Sequence, residues 1–312
     1  MIELQDESIE QMLTVTDDEN RVVVRVALLC TLYFKDAHLP EVREKIAESI
    51  EDYQALCGTH LHWVKHPETY SWHRLNKSSF PKIRDWLQKL DCDDAIELEF
   101  HGDKDEYAAS HFSISVLGSR EWQCRLSYFK VVLPITWFAD HPGDFPSFVL
   151  NYCQKLTPVS GYGGLGIIDS ASGSILNQYE PTVTRISQQF PGLEVDYPYK
   201  HLLHLNNGIK GVNWLTILSD HWLKELGGIS ALRAKLSSEF VFHQYSGGIL
   251  IQAGSRPQMG DLAQNRLPKL YVQLNAALKP IRIKSHFPIH HSGKGRLDKE
   301  ASEQWLARFD NS

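Results

Sequence analysis

Residues 22–34 read Val-Val-Val-Arg-Val-Ala-Leu-Leu-Cys-Thr-Leu-Tyr-Phe, the longest apolar run in a chain of 312 residues. Its β-branched and aromatic content without alternation predicts a strand buried on both faces. Arg25 interrupts it, and 13 residues fall short of the roughly 18 needed to span a bilayer, so no membrane association is expected. Around this strand the period switches between helix and sheet. Val42, Ile46, Ile50, Tyr53 and Cys57 recur at helical spacing after Pro40, and Gly58 stops them. Ser79 and Pro81 predict the start of a second helix with Ile83, Trp86, Leu87 and Leu90 inward. Strands are predicted over Ile96 to Phe100, His111 to Leu117 and Gln123 to Phe138, the last two as a hairpin around Gly118. Phe145, Phe148, Val149, Tyr152, Cys153 and Leu156 mark a third helix that Pro158 ends.

Beyond Pro158 the sequence predicts a glycine-rich loop, a strand-like run at Leu165 to Ile168, and a helix from Thr182 to Phe190. Asn213 is expected to cap a helix with Trp214, Leu215, Leu218, Trp222 and Leu226 inward, stopped by Gly227-Gly228, with a short helix from Ser230 after it. Phe240 to Tyr245 and Ile249 to Ala253 flank Ser246-Gly247-Gly248 as a hairpin, and Pro268 opens a last helix. The tail from Ile283 reads as loosely attached. Strands come in groups with helices between groups, so the expected class is α+β, antiparallel or mixed sheets with packed helices. Two lobes are expected, residues 1–157 and 158–312.

The composition is globular, with 42% hydrophobic and 22% charged residues. Lys+Arg 32 against Asp+Glu 38 gives a formal charge of −6, which disfavours nonspecific nucleic-acid binding and favours a basic partner. The first twenty residues hold seven acids and no Lys or Arg, the reverse of a secretory leader, so a cytoplasmic location is expected. Five scattered cysteines form no CxxC pair and read as reduced thiols.

Gly161-Tyr162-Gly163-Gly164-Leu165-Gly166 matches GxGxxG, but a helix precedes it and a β-like run follows, the reverse of a dinucleotide site; a tight turn is the default reading. His60, His62, His66 and His73, the pair His201 and His204, and His290-His291 lack the companion ligands of a metal site, so no metal or cofactor is expected. No GxSxG, Walker A, kinase or EF-hand pattern nominates a catalytic centre. An enzyme reading would need scattered groups to converge, such as two of Asp169, Asp196, His201 and Asp261 near Gly161 to Gly166.

The strongest charge feature is Asp91, Asp93, Asp94, Glu97, Glu99, Asp103, Asp105 and Glu106 against Lys104 alone, seven net negative charges. With Ile96, Leu98 and Phe100 inward, Glu97 and Glu99 face outward and extend the acidity of the flanking loops. Such a strip imitates a phosphate backbone; it also suits a solvated edge kept soluble by charge.

The stretch Gly208-Ile209-Lys210-Gly211-Val212-Asn213-Trp214-Leu215-Thr216-Ile217-Leu218, running on to Leu226-Gly227-Gly228, resembles a bacterial family of type VI secretion immunity proteins. Ile251-Gln252-Ala253-Gly254, Pro257, Gly260-Asp261 and Leu267-Pro268 follow in the same order, and Gly161-Tyr162-Gly163-Gly164 and Pro191-Gly192-Leu193-Glu194-Val195-Asp196 precede them, so the resemblance covers roughly residues 140 to 280. It carries no catalytic residues. It implies an antitoxin that binds and neutralises a cognate injected effector, and its TsiT type, which counters a nuclease, is the nearest member. A nuclease groove built for phosphates would complement the Asp91 to Glu106 strip, within an interface of about 1,600 Å². The resemblance leaves open whether the chain acts as monomer or homodimer. A small-molecule enzyme and a secretion-cluster adaptor are the competing classes.

Overall fold

The computed structural model describes residues 6–65, 69–75, 82–141 and 144–310. In chain order its elements begin with α1 (Asp6–Leu13), β1 (Val15–Thr16), β2 (Val22–Phe34), α2 (Pro40–Cys57), β3 (Trp63–Lys65), β4 (Trp72–Arg74) and α3 (Ile83–Leu87). Next come β5 (Ile96–His101), β6 (Ser113–Gly118), β7 (Ser127–Leu133), α4 (Ile135–Asp140), α5 (Asp144–Leu156), β8 (Ser160–Asp169), α6 (Gly173–Gln189), β9 (Glu194–Val195) and α7 (Pro198–Leu202). The chain finishes with β10 (Leu215–Ser219), α8 (Asp220–Glu225), α9 (Gly228–Arg233), β11 (Phe240–Tyr245), β12 (Gly248–Ala253), α10 (Lys269–Leu278) and α11 (Lys299–Leu306).

One twelve-stranded sheet, in the order β11-β12-β10-β8-β2-β7-β6-β5-β3-β4 with β1 on β2 and β9 on β8, organises the α+β fold. It is antiparallel except where β9 runs parallel to β8. The lack of alternation in Val22–Phe34 now has its cause: β2 lies at the centre between β7 and β8, with α5 and α6 packed on it, and is buried from Val23 onward. Residues 157–159 link α5 to β8, and strands from both sides of that junction share the sheet through the β2–β8 pairing.

Five expectations are corrected. The glycine-rich segment is neither a turn nor a phosphate loop; it is the central strand β8. A Cβ at Gly161 would lie 2.7 Å from the Thr31 carbonyl oxygen, and Gly164, at φ +154°, leaves room for Asn213 Oδ1 where a Cβ would sit 2.3 Å away. Gly161→Ala is therefore expected to cost about 1–3 kcal/mol through overpacking, measured by urea denaturation. The helix expected from Asn213 is a strand followed by a helix: Trp214 and Leu215–Leu218 are buried, and a strand buried on both faces imitates helical spacing once it runs into α8. The strand expected over Gln123 to Phe138 shrinks to β7, because Pro134 sits at the N-cap of α4.

The tail is firmly attached. Ile289, Leu297, Trp305 and Phe309 are buried, the Arg282 guanidinium pairs with Asp310 at 2.6 Å, and Lys200 donates to the Ile289 carbonyl at 2.6 Å. The helix expected from Thr182 already starts at Gly173. Ser79 and Pro81 lie outside the described residues, while Ile83 and Leu87 of α3 are buried as their spacing predicts. The hairpin of β11 and β12 and the helices α2, α5 and α10 stand where their periodicity puts them.

Candidate functional sites, an acidic corner and a buried ionic centre

β5 pairs with β6 on one side and, over Trp63–Lys65, with β3 on the other. Ile96, Leu98 and Phe100 point into the core, which leaves Glu97 and Glu99 half-exposed on the opposite face. Sheet register puts Lys65 opposite Glu99, and its ammonium reaches both carboxylates, 3.6 Å from Glu97 and 3.7 Å from Glu99. At the far end of β5, Arg25 lies 3.9 Å from the Asp103 carboxylate and Arg21 3.0 Å from Asp105, while the Trp63 indole N–H donates to the Asp103 carbonyl at 3.0 Å. The Glu106 carboxylate faces the Tyr107 hydroxyl.

At the near end Asp91, Asp93 and Asp94 are exposed. Arg43, buried beneath them, donates to the carbonyls of Leu90 and Asp91, and the Asp94 carboxylate accepts the Asp91 N–H at 2.9 Å. Asp93 makes no ion pair among the described residues. The eight acids thus fall into three groups: a bridged pair on β5, a loop tied in part to arginines, and an exposed corner whose Asp91 and Asp94 are partly offset by Arg43 beneath them. Beside that corner stand Glu121 and Trp122, which sequence reasoning passed over. The available signal was a tryptophan between two predicted strands, where no apolar period called for one.

The groups named for an enzyme reading separate in part. Asp261 caps a short turn by accepting the Ala263 N–H at 3.0 Å, and Asp169 accepts the Tyr197 hydroxyl at 2.5 Å. Asp196 and His201 do meet, around the buried Lys210. Asp196 accepts from Thr31 at 2.7 Å and Tyr162 at 2.5 Å, and Lys130 lies 3.1 Å away. Burial alone would raise the Asp196 carboxyl; Lys130 and Lys210 outweigh it and hold the group below the usual carboxylate range. Lys210 lies 2.8 Å from Glu194 and donates to the Val195 carbonyl at 2.6 Å and to His201 Nε2 at 2.8 Å, and burial lowers its own pKa. Every member of this centre is bonded to another member or to the backbone, and Arg308 covers Glu194 from 3.8 Å. The arrangement ties the C-terminal segment to the sheet.

Among the described residues no group of three or more His, Cys, Asp or Glu has the geometry of a metal site. The His60 ring stacks on Phe112, His73 bonds Ser71, and His66 lies outside the described residues. All five cysteines are free; Cys30, Cys57 and Cys153 are buried, and burial pushes the Cys57 thiol up to about 12. No described helix is long and apolar enough to cross a membrane.

Residues 45–309 match the family TsiV, described as type VI immunity for VRR-NUC. The chain belongs to the TsiV family. The match takes in the acidic corner, the buried ionic centre and the C-terminal segment, well beyond residues 140–280 where the resemblance was carried by motifs. It does not address the TsiT type. The Pseudomonas aeruginosa T6SS protein PA0821 is similar in structure, with a TM-score of 0.88, 29% identity, and coverage of 98% of this chain and 88% of that chain. No curated protein matches. Gly208–Leu218, the strongest stretch of the resemblance, contributes Lys210, Asn213 and Trp214 to the core of this TsiV-family fold, so those residues describe architecture.

Proposed function

We propose that this TsiV-family chain is the cytoplasmic antitoxin of a VRR-NUC nuclease effector and neutralises it by direct protein–protein inhibition, with no chemistry of its own. The family match over residues 45–309 carries the reading. The charge of −6 and the acidic segment from Asp91 to Glu106 support it, because a nuclease must present cations to nucleic-acid phosphates. Co-expression with its cognate VRR-NUC nuclease effector should restore growth, preserve DNA integrity and yield a complex that co-elutes on a sizing column. Rescue without a complex would replace inhibition by enzymatic reversal of the damage, and no rescue would return the adaptor and enzyme readings.

Reversing Asp93, Asp94, Glu97 and Glu99 to Lys should slow association at least tenfold at low salt, with the gap closing as salt screens the charges. An unchanged association rate in a folded quadruple variant would place the contact elsewhere. The same column run on the antitoxin alone separates monomer from homodimer.

A further inference from the structure

Charge at the corner says which partners are favoured; Trp122 says where one would seat. Its side chain is 65% exposed, more than any other large apolar residue among those described. It lies in the turn Glu121–Gln123 between β6 and β7, and that turn is held on every side. The Ser119 N–H donates to Ser127 Oγ at 2.9 Å and the Ser119 hydroxyl to the Leu126 carbonyl at 2.8 Å. Gln123 Oε1 accepts the Arg120 N–H at 3.2 Å, and the Glu121 N–H donates to the Cys92 carbonyl at 3.1 Å, fastening the turn to the acidic loop. Arg43 pins that loop from below through the Leu90 and Asp91 carbonyls. The indole is therefore displayed on a frame whose backbone entropy is already spent, so ordering it in a complex costs little.

A tryptophan buries about 150–250 Å² when it is covered, and pre-ordered tryptophans at the centre of a patch are the commonest interface anchors. The occupant follows from the surroundings. Asp91, Asp93, Asp94 and Glu121 are exposed on the two loops that the Glu121–Cys92 hydrogen bond joins, against Arg120 and Arg125, which flank the turn and are half-buried. Glu97 and Glu99 share Lys65 and have less charge to offer.

We infer that Trp122 anchors the toxin contact, seated in an apolar pocket of the nuclease whose rim is made of the Lys and Arg side chains that hold nucleic-acid phosphates. This rests on the antitoxin reading above and narrows it from a sixteen-residue strip to one corner.

The test is affinity for the purified nuclease effector, measured by calorimetry and by surface-immobilised kinetics, with thermal melting of each variant alone. Trp122→Ala should weaken binding at least thirtyfold, chiefly through faster dissociation, with little change in melting temperature because most of the side chain is exposed. Trp122→Phe should recover most of the affinity. The triple change Asp91→Asn, Asp93→Asn, Asp94→Asn should instead slow association and flatten its salt dependence. Wild-type protein that fails to bind the nuclease would overturn the antitoxin reading itself. Wild-type binding with Trp122→Ala equally tight would overturn only the anchor. So would a dimer of the free antitoxin that Trp122→Ala dissociates while leaving nuclease affinity intact.

Discussion

Replacing Lys210 by methionine is expected to destabilise the fold by about 3–5 kcal/mol, the usual result of removing one member of a buried ion pair. Lys210 and Glu194 are each 3% exposed, and the Lys210 ammonium lies 2.8 Å from the Glu194 carboxylate. Methionine fills the volume, so the loss is electrostatic: Glu194 keeps only the Asn213 amide at 3.2 Å and the more distant Arg308, and the Val195 carbonyl and His201 Nε2 each lose a donor. Neutralising the partner as well isolates the cause. The double variant Lys210→Met, Glu194→Gln should recover a large part of the loss, because the uncompensated charge is gone. Urea denaturation of the wild type, the two single variants Lys210→Met and Glu194→Gln, and the double variant measures this. A single variant within 1 kcal/mol of wild type would mean that the centre tolerates an unpaired carboxylate and is not the clasp that the geometry describes.

That clasp was beyond sequence reasoning for a definable reason. Thr31 and Asp196 are 165 residues apart and meet only because β2 pairs with one edge of β8 and β9 adds to its other edge. Sheet register also decides that Lys65 faces Glu99 and thereby discharges part of an acidic strip whose composition was plain. Amphipathic elements were legible: α2, α5 and α10 each bury one face and their periods show it. Elements buried all round were not. β10 carries no alternation because both faces are covered, and β8 is written in glycine because Leu29, Leu32 and Asn213 occupy the space a side chain would need. The tail escaped notice because residues 283–298 bury Ile289 and Leu297 in irregular conformations that have no period.

Acid is expected to loosen that same tail. The hydrogen-bond directions fix neutral tautomers: His201 Nε2 accepts from Lys210 and from the Tyr197 N–H, so its Nδ1–H donates to His286 Nε2 at 2.9 Å, and His286 Nδ1–H donates to the Phe287 carbonyl at 2.5 Å. A proton added to His286 Nε2 would set two donors face to face. His201, His204, Lys200 and Lys210 all surround that ring, and none is an anion. His290 accepts from the Leu297 N–H at 3.1 Å and sits by the Thr184 hydroxyl, with Glu180 as its one favourable charge against Lys200, Arg296 and His291. Burial, the largest cause in both cases, lowers His286 and His290 from 6.5 to about 4. The unfolded chain therefore binds protons that the folded chain refuses. Stability is complete above about pH 6.5, falls as the pH drops towards 4, and levels off below it, with each histidine costing about 2 kcal/mol by pH 5. His201, pushed the same way by burial and by Lys210, adds to the loss. Urea midpoints from pH 7.5 to 4.5 should trace this slope, and amide exchange at pH 5.5 should quicken first in residues 283–310. His286→Gln, which keeps an acceptor and cannot take a proton, should flatten the slope; a wild-type midpoint constant down to pH 5 would mean that the imidazoles charge in place and that the tail is held by its arginine pairs alone.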